Sequence, residues 1–91
     1  MNPAQVKILQ EIEKRLSAIL LAFRGPIPAD QLQDMRELCA AGEPGVALEN
    51  FASQLYEYEI RVDPAMIDEL EALGNAMNLD RKYWEFLRKL L

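Results

Sequence analysis

Histidine is absent from the chain, and cysteine occurs once, at Cys39. These two shortages exclude the zinc patterns, the serine and cysteine triads and the haem-attachment motifs, all of which need histidine or paired thiols. A lone cysteine cannot form an internal disulfide, so the cross-linked framework of small secreted domains is missing and a reducing, cytoplasmic setting is expected. Glycine is scarce: Gly25, Gly42, Gly45 and Gly74 form neither a phosphate-cradling loop nor a dinucleotide fingerprint. The serines are Ser17 and Ser53, neither in a nucleophile-elbow context. Basic charge is in deficit, ten Lys and Arg against fifteen Asp and Glu, and the net −5 repels the phosphate backbone that dominates nucleic-acid affinity. Long apolar runs are lacking too. Charges such as Lys14, Arg15 and Arg24 interrupt every stretch short of a bilayer span, and Met1-Asn2-Pro3-Ala4-Gln5 lacks the opening of a signal peptide. The expectation is a cytoplasmic protein that is not an enzyme, uses no cofactor or metal, touches neither membrane nor nucleic acid, and works by binding another protein.

What is present suits one small globular domain over residues 1–91: 51% hydrophobic and 27% charged side chains in a chain too short for two cores. Its periods and punctuation predict an all-α fold, a compact bundle of about five short helices. Leu9, Ile12, Leu16, Ile19 and Phe23 recur at helical spacing from about Pro3 to Phe23, with Asn2 and Gln5 positioned as a capping box and Gly25-Pro26 as the stop. That stripe reads as the core of a bundle, widened by Val6, Ile8, Leu20 and Leu21. The same heptad spacing also suits a homodimer seam. Asp30 followed by Gln33 resembles a second capping box, opening a helix with Leu32, Met35, Leu38 and Cys39 inward and stopping at Gly42. Cys39 reads as a small core residue, since no histidine exists to activate it.

A third helix starts near Pro44 and turns Ala47, Leu48, Phe51, Ala52 and Leu55 inward, leaving Glu49, Asn50, Ser53, Tyr56 and Glu57 on its other side. Tyr58 to Val62 alternates briefly and reads as an extended link, because no second strand exists to pair with it. Asp63-Pro64 then opens a fourth helix with Met66, Ile67, Leu70, Leu73 and Met77 inward. Gly74 inside it implies either a weak point or a neighbour packed against the backbone. The final segment, capped by Asp80, reads as a twelve-residue amphipathic helix with Tyr83, Trp84, Leu87, Leu90 and Leu91 on one side and Arg81, Lys82, Arg88 and Lys89 on the other. It closes the bundle; a membrane-surface role is the weaker reading.

Charge is unevenly distributed. From Glu43 to Glu71 the chain carries eight carboxylates against Arg61 alone, a net −7. Helical projection turns Glu49, Ser53 and Glu57 away from Leu48 and Leu55, and exposes Asp68 and Glu71 on the fourth helix. If the two helices are neighbours, Glu49, Asn50, Ser53, Tyr56, Glu57, Asp68 and Glu71 form an acidic surface with a tyrosine anchor, suited to a basic partner. A merely solvated acidic face is the alternative.

The turn Glu43-Pro44-Gly45 followed by Ala47-Leu48-Glu49-Asn50, together with Asp80, Tyr83 and Trp84 near the end, resembles the MafI-like immunity proteins of bacterial polymorphic toxin systems. The resemblance covers about half of the chain and leaves the first helix undistinguished. It implies a cytoplasmic helical protein that binds and blocks a cognate toxin domain, often a nuclease, and it assigns no contact residues. A helical dimerisation or adaptor module is the second reading.

Overall fold

In the computed structural model, which describes residues 2–91, the starts of the first and fourth helices follow from local chemistry. Helix α1 spans Pro3–Leu21. Its capping box is complete: the Gln5 amide donates to Asn2 Oδ1 at 2.8 Å and the Asn2 amide donates to Gln5 Oε1 at 2.9 Å, satisfying two of the donors orphaned at a helix start. The helix ends two residues before the expected Phe23. Ala22 and Phe23 tighten into i−3 hydrogen bonds, and Gly25 takes a φ of +102° that an L side chain would resist.

Helix α2 (Ala29–Ala40) starts without the expected Asp30–Gln33 capping box. The Pro28 carbonyl accepts the Leu32 amide at 3.0 Å, so the helix is already under way at Asp30. Asp30 therefore lies within the first turn, where its charge suits the dipole. Helices α3 (Pro44–Glu57) and α4 (Pro64–Ala76) both begin with proline as expected, and Asp63 caps α4 by accepting the Met66 amide at 2.8 Å. The link after α3 forms no strand. Its alternation instead turns Ile60 and Val62 toward the core and leaves Glu59 and Arg61 exposed.

The last segment corrects the sequence reading most. It is not one α-helix but two 3₁₀ helices, η1 (Arg81–Tyr83) and η2 (Glu85–Leu90), broken at Trp84, whose φ of −141° leaves the helical region. Trp84, Leu87 and Leu90 are spaced by three, the period of a 3₁₀ turn, so all three return to one side where an α-helix would carry Leu90 away. Trp84 and Leu87 are fully buried and Leu90 is half-buried, while Leu91, expected inward, is 59% exposed.

Helix α3 is central and touches α1, α2, α4 and both 3₁₀ helices. Its Ala47, Leu48, Phe51, Ala52 and Leu55 are all fully buried. Phe51 meets Phe23 edge to face, with centroids 5.1 Å apart. Ile12, Leu16, Ile19 and Leu20 of α1 complete the core, so the middle of the heptad stripe is consumed within the chain, while Leu9 and Phe23 at its ends are half-buried. Ile27, between two prolines, is also buried and was not anticipated. Gly74 has the close neighbour its position implied: a Cβ there would overlap Cζ3 and Cη2 of Trp84. The Cα radius of gyration, 12.6 Å, matches the ~12 Å of a single compact body of this length.

Candidate partner-binding surface

The outward side of α3 is a ridge. At 100° per residue Val46, Asn50, Ser53 and Glu57 align opposite Leu48, and all four are exposed. Glu49 and Tyr56 occupy the flank beside the ridge: Glu49 is half-buried and Tyr56 is 51% exposed. These five predicted residues, Glu49, Asn50, Ser53, Tyr56 and Glu57, therefore share one helix. Asp68 and Glu71 lie on α4, and η1 and η2 pack on both α3 and α4.

The two α4 carboxylates are also engaged. The Arg88 guanidinium donates to Asp68 Oδ1 at 2.9 Å and to Glu71 Oε2 at 3.2 Å. The Asp68 hydrogen bond, supported by the charges of both carboxylates and opposed by desolvation, raises the Arg88 pKa further above its ordinary range. Glu71 Oε1 accepts a long hydrogen bond, 3.5 Å, from the indole N–H of buried Trp84. Asp68 and Glu71 thus anchor the C-terminal segment.

Ion pairing therefore thins the charge excess of residues 43–71. Asp63 caps α4, Glu69 meets Arg15 at 3.4 Å, and Asp68 and Glu71 hold Arg88. Glu43, Glu49, Glu57 and Glu59 are left without an ion-pair partner among the described residues. Two of these stand at the C-terminal end of α3, where the helix dipole is already negative and the last turn holds no basic residue. Glu59 further adopts a left-handed φ of 52°, the position glycine usually fills after a helix, with the Ile60 amide closing back on the Leu55 carbonyl at 2.9 Å.

Phe86 is the residue that the sequence reading missed. It lies half-buried beside Tyr56, the two rings edge to face at 5.3 Å and 87°. Ser53, Tyr56, Glu57 and Phe86 line a shallow open depression. The spacing of three from Tyr83 to Phe86 to Lys89, the period of a 3₁₀ turn, is the one sequence signal that places Phe86 toward α3. On the other flank of Phe86 stand Arg81, Lys82, Arg88 and Lys89. Arg81 pairs with Glu85 at 3.3 Å and Lys82 lies 5.2 Å from the centroid of Tyr83, and Glu71 and Glu85 share that flank with the four cations.

Two further concavities are present. A polar one between α1 and α2 is lined by Glu13, Lys14, Arg36, Glu37 and the inward Cys39. Burial, then the Glu13 carboxylate, pushes the Cys39 thiol from 9.0 up to about 11 against the pull of Arg36, which leaves it protonated and unreactive near neutrality. An apolar groove runs under the first turns of α1 beside Ile8, Leu9, Pro44, Met77 and Leu79. Among the described residues no group of three or more His, Cys, Asp or Glu side chains is arranged to hold a metal ion, and no helix is long and apolar enough to cross a membrane. No protein-family model, curated protein or solved structure matches the chain.

Proposed function

We propose that the chain is a cytoplasmic immunity protein that neutralises a cognate bacterial toxin domain by stoichiometric binding, without turnover of its own. The observation that carries the reading is the outward side of α3. Glu49 and Glu57 stand there without intramolecular cations, beside Tyr56, which is 51% exposed. Carboxylates left free of internal pairing speed encounter with a basic surface, and a half-exposed tyrosine is the kind of side chain that anchors interfaces. A nuclease domain offers that basic surface, because its substrate groove must attract phosphate; covering the groove or the surface next to it would stop the reaction. The likeness of Glu43-Pro44-Gly45 and Ala47-Leu48-Glu49-Asn50 to the MafI-like pattern points to the same partner class. Its apolar members Ala47 and Leu48 are core, so within that pattern Glu49 and Asn50 are the contact residues.

The test is co-production in a bacterial host with the C-terminal domain of the polypeptide encoded immediately upstream. Growth arrest by that domain alone, relieved when this chain is present, is the expected outcome. Arrest that persists at equal production of both chains contradicts it.

A homodimer is the second reading, and the apolar groove under α1 is the observation that favours it. Ile8 is 56% exposed at its edge. A solution mass of two chains that drops to one on Ile8→Lys would support this reading, and a monomer at high concentration would dismiss it.

A further inference from the structure

The C-terminal end of α3 breaks three local preferences at once. Glu57 is the last residue of the helix, where a cation would complement the dipole. Glu59 holds the left-handed position that favours glycine. Tyr56 keeps half of a large ring in water beside Phe86. Each is mildly unfavourable in the isolated chain; Tyr56 and Glu57 line one depression with Ser53 and Phe86, and Glu59 follows Glu57 by two residues. Of the chain's own cations beside Phe86, Arg81 pairs with Glu85, Arg88 with Asp68 and Glu71, and Lys82 lies against Tyr83, while Lys89 has no carboxylate partner among the described residues.

From this geometry we infer that the Tyr56–Phe86 depression receives an arginine side chain of the partner, its guanidinium over an aromatic face and its N–H groups on the Glu57 carboxylate. The inference rests on the reading of α3 as the partner surface and names the group recognised there. An edge-to-face pair covers one face of one ring only, so aromatic faces remain for a cation. Arginine fits better than lysine because its flat guanidinium stacks on a ring while presenting a fork of donors to a carboxylate. Glu59 and the negative end of the α3 dipole add to the attraction without needing contact.

The experiment is an NMR titration of the isotope-labelled protein with a capped tetra-arginine peptide, and in parallel with capped tetra-lysine. Tetra-arginine is expected to shift the amides of residues 53–60 and of Phe86, and to bind roughly five-fold more tightly than tetra-lysine. Glu57→Gln and Tyr56→Leu are each expected to weaken it about five-fold with the rest of the spectrum unchanged; the leucine keeps an apolar contact with Phe86, so the fold is retained. Shifts centred elsewhere, equal affinity for the two peptides, or indifference to both substitutions would overturn the inference. Failure of the two readings is separable. Arginine binding at the depression without relief of the upstream domain's toxicity removes the immunity reading alone. A neutralising complex in which residues 53–60 and Phe86 do not shift removes the arginine inference alone.

Discussion

Gly74 and Trp84 show how one residue type is fixed by another across the fold. Alanine in place of a mid-helix glycine ordinarily gains up to ~1 kcal/mol of helix stability. Here the added methyl would overlap the indole ring, and overpacking of this kind costs about 1–3 kcal/mol. Gly74→Ala is therefore expected to lower stability by denaturant unfolding, and to become neutral or favourable in a Trp84→Leu background, where the ring is gone. Equal effects in both backgrounds would show that the contact does not set the cost. Cys39 supplies a pH dependence of definite sign. Its folded pKa, about 11, lies above the ordinary 9.0, so the folded chain holds the proton more tightly than the unfolded chain. The associated stability is whole below pH 9 and is lost as the pH rises from about 9 to about 11. The denaturant midpoint should fall across that window, and fall less in Cys39→Ala. An identical alkaline fall in the two proteins would remove the thiol as its source.

At the scale of elements, the ends of α3 and α4 invite comparison. Both close with a residue in the left-handed region, Glu59 at φ 52° and Asn78 at φ 56°. Asparagine tolerates that region, whereas glutamate has no such compensation. Glu59→Gly is expected to stabilise the chain by ~0.5–1 kcal/mol, and Asn78→Gly by less, read as the difference in their melting temperatures. The α1 box, the Asp63-Pro64 start of α4 and the inward set of α3 were legible in the sequence because each depends on residues within one or two turns. The C-terminal segment was not. At 100° per residue Tyr83, Trp84, Leu87, Leu90 and Leu91 fall within about 120° of an α-helix, so their spacing does not disclose the period of three, and Trp84, where the segment breaks, packs against Gly74, a tertiary fact. The same limit applies to the site. Glu49, Asn50, Ser53, Tyr56 and Glu57 share a side because one helix carries them, but the capture of Asp68 and Glu71 by Arg88 joins residues 17 and 20 positions apart. No local pattern encodes that capture, and Phe86 was hidden for the same reason.

The whole molecule is elongated, 39 × 26 × 17 Å, and its charge is sorted by internal pairing more than by composition. Carboxylates held by Arg88 and Arg15 serve the fold, and those free on α3 are available to a partner. Reversal of the two classes should therefore separate. Glu49→Lys with Glu57→Lys is expected to slow association with the upstream-encoded domain by about ten-fold at low salt and to flatten its ionic-strength dependence, with little change in stability. Asp68→Lys should instead lower stability, by repelling Arg88. If the α3 reversals leave both the rate and its salt dependence unaltered, the α3 surface is not where the partner approaches.

The most direct test of stoichiometric neutralisation is a calorimetric titration of this chain into the C-terminal domain of the upstream polypeptide, with that domain's activity followed in the same samples. A tight one-to-one endpoint at which activity reaches zero is expected. No heat of binding, or binding that leaves the activity intact at saturation, would contradict it.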